Sequence, residues 1–86
     1  MPTTVIKSNE FFYDLVTEDI KAISVSFSPS CSNCNVYIRR NGRPDMLPLG
    51  RIFHGSSRQE QLNEAIETYK DQKIKAALRA LLCELL

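Results

Sequence analysis

An α+β fold, a small antiparallel sheet of three to five strands packed against one long or broken C-terminal helix, is what the sequence predicts, on three observations. Ala22-Ile-Ser-Val-Ser-Phe-Ser28 alternates apolar residues with serines, and Asn35–Arg40 alternates in the same way, the period-2 pattern of strands with one apolar face. From Ser57 to the end there is neither Gly nor Pro, as a helical region requires. The chain has 86 residues, room for one core. The expected organisation is a single domain over 1–86, with a sheet region at 1–56 and a helical region at 57–86.

In chain order, a short strand at Thr3–Ile6 is expected to pair with the segment after Ser8. That segment has two readings: Phe11, Tyr13 and Leu15 fit a strand, whereas Phe12, Leu15, Val16 and Ile20 fit a helix. The strand is preferred. Ala22–Ser28 is the clearest strand, with Ile23, Val25 and Phe27 facing one way. After Asn35–Arg40 comes Asn41-Gly42, a dipeptide suited to a type I′ hairpin turn, so Met46–Phe53 is the expected return strand. Pro48 and Gly50 should make that strand short, bulged or an edge. Ser57-Arg-Gln-Glu60 has the spacing of a capping box. In the helical region Leu62, Ala65, Ile66 and Tyr69 form one apolar stripe, and Ile74, Ala77, Leu78, Leu81 and Leu85 a second, rotated by roughly a third of a turn at about 100° per residue. Either the helix breaks near Asp71-Gln72, or one long helix shows two faces to two partners.

The hydrophobic content of 43% and charged content of 24% are those of a folding chain. A net charge of +1 argues against global attraction to nucleic acid or membrane, but the charge is unevenly spread: residues 39–58 hold five Arg against Asp45 alone. No run approaches the roughly 18 apolar residues of a membrane span. Taking Met1 as the native start, the absence of a basic, then apolar leader predicts no secretory signal. Three cysteines, an odd number, then predict reduced thiols in a cytoplasm.

Candidates for chemistry are few. Cys31-Ser-Asn-Cys34 has the spacing of half a zinc site, which His54, Cys83 or a second copy would have to complete. The simpler reading is a polar turn with two ordinary cysteines, and the expectation is no cofactor, with zinc as the alternative. A redox dithiol is disfavoured because no helix opens after the motif. His54, the only histidine, lacks an accompanying nucleophile motif. Glu60, Glu64 and Glu67 recur at helical spacing, as on a solvated face, and no phosphate-binding Gly loop exists. No enzyme is expected.

Two features point to binding. Arg39-Arg40-Asn-Gly-Arg43 reads as a basic hairpin tip that Arg51 could join, suited to an acidic protein surface or a nucleic-acid backbone. The tail Ala76–Leu86 is leucine-rich around more than one side. A chain this small hides only about 60% of its unfolded surface. Ile74, Leu78, Leu81, Leu82 and Leu85 are therefore expected to mediate self-association in a homodimer, the alternative being that both stripes pack within the monomer around a bent helical hairpin.

Val5-Ile-Lys-Ser-Asn-Glu-Phe-Phe-Tyr-Asp-Leu-Val16 as an early hairpin, and Leu49-Gly-Arg-Ile-Phe-His-Gly-Ser-Ser57 leading into Glu60–Ile66, resemble small uncharacterised proteins of bacteriophages and prophages. Those run from a β-meander through an aromatic-rich strand into an amphipathic helix. The resemblance covers two stretches and leaves Cys31 and Cys34 unmatched. It implies no chemistry, but it implies an accessory role on host machinery, including inhibition of host defence. The functional expectation is a non-enzymatic phage or prophage protein that binds a host protein. A nucleic-acid-binding module and a zinc-stabilised structural domain are the alternatives.

Overall fold

A computed structural model describes residues 3–17, 22–39 and 49–86. Five strands, β1 (Thr4–Lys7), β2 (Phe12–Val16), β3 (Ala22–Phe27), β4 (Asn33–Arg39) and β5 (Leu49–His54), are followed by helices α1 (Arg58–Thr68) and α2 (Gln72–Leu85). The strands form one antiparallel meander in sequence order. The fold is thus the small antiparallel sheet against a broken C-terminal helix that the patterning predicts. Residues 12–16 are strand, and β5 lies at the sheet edge.

Period-2 alternation sorts the strands into two faces. Tyr13 and Leu15, Ile23, Val25 and Phe27, Cys34 and Val36, and Phe53 point inward and are buried. Cross-strand register aligns these rows, pairing Leu15 with Ile23, Val25 with Val36 and Cys34 with Phe53. Tyr13 and Phe27 meet edge to face at 5.8 Å, the favourable arrangement of their quadrupoles.

Helix α1 starts where the sequence places it. Ser57 is the N-cap and its hydroxyl accepts from the Glu60 amide at 3.2 Å. The reciprocal half of the predicted box moves one residue upstream. The Glu60 carboxylate accepts from the Ser56 amide at 2.7 Å and from the Ser56 hydroxyl, and these bonds, the hydroxyl first, hold its pKa below the usual carboxylate range. The helix ends at Thr68, whose hydroxyl turns back to the Glu64 carbonyl at 2.8 Å. Lys75 then donates to the Ile66 carbonyl at 2.5 Å, placing a cation at the negative end of α1. Asp71 caps α2 by accepting from Lys73 and Ile74 amides. The break expected near Asp71-Gln72 is therefore real, and a capping carboxylate makes it.

That break lets the chain bury much of the tail against its own sheet. Helix α1 lies against β4 and β5, α2 lies against β1 and β2, and the helices pack on each other. Five strands about 4.8 Å apart span ~19 Å, the width of two helices ~10 Å apart. Each helix turns its own stripe onto the same sheet face. Leu62, Ala65 and Ile66 are buried, and Ile74, Ala77, Leu78 and Leu81 are at most 1% exposed. Ile74, Leu78 and Leu81 are therefore core residues rather than a self-association surface. Leu82 and Leu85 are partly buried against the same core, and Leu86 alone of the tail leucines is largely exposed.

Candidate binding surface

Both helices cover one face of the sheet, so the residues alternating with the core rows form a second face that neither helix covers. By strand, its side chains are Thr4 and Ile6; Phe12, Asp14 and Val16; Ser24 and Ser26; Asn33, Asn35, Tyr37 and Arg39; and Gly50, Ile52 and His54. Ile6, Val16 and Ile52 are about half exposed, while the hydroxyl and amide side chains between them are partly buried by their neighbours. Apolar groups therefore stand toward the sheet edges, with a polar centre.

Local packing fixes the shape of this face. Ser24 donates to Asp14 at 2.7 Å and Ser8 donates to its other oxygen at 3.3 Å, so the carboxylate is engaged from both sides. Tyr37 lies flat across the neighbouring strand at Gly50. A Cβ at position 50 would come within 2.8 Å of the ring, so this glycine provides space for the ring. Arg39 shares the face, and its Nε has no hydrogen-bond partner.

The sequence groups Arg39, Arg40, Arg43 and Arg51 as one basic patch, and the register places Arg39 and Arg51 on opposite faces. Arg39 is on the uncovered face, opposite Ala22; Arg51 is opposite Val36 and points to the helix side. There the Arg51 guanidinium sits 5.9 Å from the Phe53 ring centre and 6.0 Å from that of Tyr69. Burial pushes the Tyr69 hydroxyl pKa up, opposed by the Arg51 charge. Arg40, Arg43 and the Asn41-Gly42 turn lie outside the described residues. The ladder pairs Ile38 with Leu49, not with Asp45 as a continuous two-residue hairpin at Asn41-Gly42 would require. Arg58 is structural: it donates to the Glu10 carbonyl at 2.9 Å and stacks 4.6 Å from the Phe27 ring centre.

The cysteines separate as well. Cys34 occupies an inward strand position and is fully buried, and burial pushes its thiol up to about 11. Cys31 is exposed in the β3–β4 turn, at a left-handed φ of 62°. Alternation thus places one thiol of the candidate zinc pair in the core and the other on the surface. Among the described residues no group of three or more His, Cys, Asp or Glu could hold a metal ion, and no helix is long and apolar enough to cross a membrane.

A thiol with a pKa of about 11 is thiolate to only roughly one part in a thousand at pH 8. Native protein should therefore be alkylated rapidly at Cys31 and Cys83, which are both exposed, and at Cys34 only as it unfolds. Peptide mass mapping after timed iodoacetamide treatment reads this out, and equal labelling of all three would refute the burial argument. Because the folded state raises this pKa from 9.0 to about 11, the folded chain holds the proton more tightly. The associated stability is present below about pH 9 and lost as pH rises toward 11.

The uncovered face is what sequence reasoning missed. Its signal was present in the serines and asparagines that alternate with core residues. Comparisons with protein-family models, curated proteins and solved structures give no match.

Proposed function

We propose that the chain is a non-enzymatic binding module that engages a protein partner through the uncovered face of its sheet. One observation carries this reading: a five-stranded sheet with helices on one side only and the other side built from Tyr, Phe, Ser and Asn with Ile6, Val16 and Ile52 exposed. Tyrosine gives large, rigid contact area at low entropic cost, and serine and asparagine supply adaptable hydrogen bonds. Charge decides between classes of macromolecule. Among the described residues this face carries Arg39 as its only Lys or Arg, with Asp14 as its counterpart, whereas affinity for a nucleic-acid backbone grows with the number of phosphates neutralised. The resemblance to small phage and prophage proteins makes a host protein the partner this reading adopts.

A photocrosslinking amino acid at Tyr37 or Ile52 should give a discrete protein adduct in lysate of the producing cell, and one at exposed Arg79 should not. Unlabelled wild-type chain should compete, while Tyr37→Ala, folded by circular dichroism, should compete about tenfold less well. Nuclease-sensitive adducts, or equal adducts from all three positions, would sink the proposal.

A further inference from the structure

We infer that β5 accepts an extended, lysine- or arginine-bearing peptide segment of the partner as a sixth strand. This rests on the protein-binding reading above and specifies its mode.

Among the described residues, the order of the sheet leaves β5 with one unpaired side. The Gly55 amide donates to the Ser32 carbonyl at 3.3 Å. That bond sets the phase of the β4–β5 ladder: Phe53 and Arg51 are hydrogen-bonded to β4, and the amides and carbonyls of Gly50, Ile52 and His54 point away from it. Such a row of unpaired groups is a template for strand addition. Within β5 itself charge gives this edge little protection, since the strand has six residues and no Lys, and its one Arg is stacked over the Phe53 and Tyr69 rings.

What lies beside this edge specifies the guest. Shallow grooves run between β5 and α1, one lined by Arg51, Ile52, His54, Glu64 and Thr68, the next by His54, Asn63 and the carboxylates of Glu60, Glu64 and Glu67. Glu64 and Glu67 thus outnumber the one stacked guanidinium there, the Glu60 carboxylate being held by Ser56. Successive residues of an added strand point to opposite faces. Those on the helix side would meet the carboxylates, and those on the other would meet exposed Ile52. The complementary sequence alternates Lys or Arg with an apolar or β-branched residue.

The test uses ¹⁵N-labelled full chain and the capped peptide Lys-Val-Lys-Val-Lys-Val-Lys. Binding should shift the amide resonances of Gly50, Ile52 and His54 more than those of β1, at the opposite edge. Methylating alternate peptide nitrogens, which removes backbone donors and leaves the charge, should weaken binding about tenfold. Glu64→Lys combined with Glu67→Lys should weaken it similarly and bring preference for the Glu-for-Lys peptide. Equal affinity of the methylated peptide, indifference to charge reversal, or no shifts with about 1 mM peptide would each overturn the inference. If that happens while the Tyr37 and Ile52 crosslinks persist, the partner uses the face without the edge. If the crosslinks are lost too, the protein-binding reading also falls.

Discussion

Leu78→Ala is expected to lower the free energy of unfolding by about 3 kcal/mol and the midpoint of thermal unfolding by roughly 15 °C. Leu78 is fully buried in the layer between α2 and the sheet. Truncation there removes both the transfer free energy of the lost methyl groups and the contacts their neighbours made, because a packed interior relaxes only in part. Leu86, 78% exposed, is the control, and its replacement by Ala should change stability by less than about 0.5 kcal/mol. Urea unfolding with sedimentation analysis distinguishes two roles for the leucine stripe. A core stripe changes the unfolding midpoint independently of protein concentration. A stripe that joins two copies would make wild-type stability depend on concentration, and Leu78→Ala would then dissociate the protein. That second pattern would refute the two-helix packing described above.

Gln61→Ala should also cost about 3 kcal/mol, for a different reason. Among the described residues Gln61 is the one buried polar side chain, and it is fully enclosed. Its Nε2 donates to the Cys31 carbonyl at 2.9 Å and the Gly55 carbonyl at 3.2 Å, tying the β3–β4 turn and the end of β5 to the first turn of α1. Both carbonyls lose this donor on truncation. The approach is close, since a Cβ on Gly55 would lie 3.0 Å from the Gln61 amide nitrogen. Gln61→Met separates the contributions. It keeps most of the volume, removes both hydrogen bonds, and also removes Oε1, which has no hydrogen-bond partner. The expected cost of Gln61→Met is therefore smaller, about 1–2 kcal/mol. Equal unfolding free energies for wild type and Gln61→Ala would show that the side chain fastens nothing.

The two positions also show where sequence reading succeeds and stops. Leu78 is plainly apolar at helical spacing, so its membership of a buried stripe was legible; which surface buried it was not. The shelter comes from a five-strand sheet wide enough for two helices, and strand count and order are properties of long-range pairing. Gln61 was invisible, because a glutamine directly after a capping box, with Glu60 and Glu64 for neighbours, reads as solvated. Only the approach of Gly55 and the Cys31 turn encloses it. The arginines failed in the same way: a cluster in sequence became two faces once Arg39 and Arg51 took positions of opposite parity across the β4–β5 ladder.

Local chemistry was determined by the sequence alone. Alternation set which side chains in each strand share a face, Ser57 set the start of α1, and Asp71 marked the break that separates the two apolar stripes. These are short-range matters of backbone period and of unsatisfied amides at helix ends. The tertiary structure decided which face of the sheet is covered, that both stripes go to the same side, and that Tyr37, Arg39 and Ile52 share the other. It decided them because covering a surface takes contacts between segments far apart in the chain, and no local pattern encodes which of two faces a distant helix will choose.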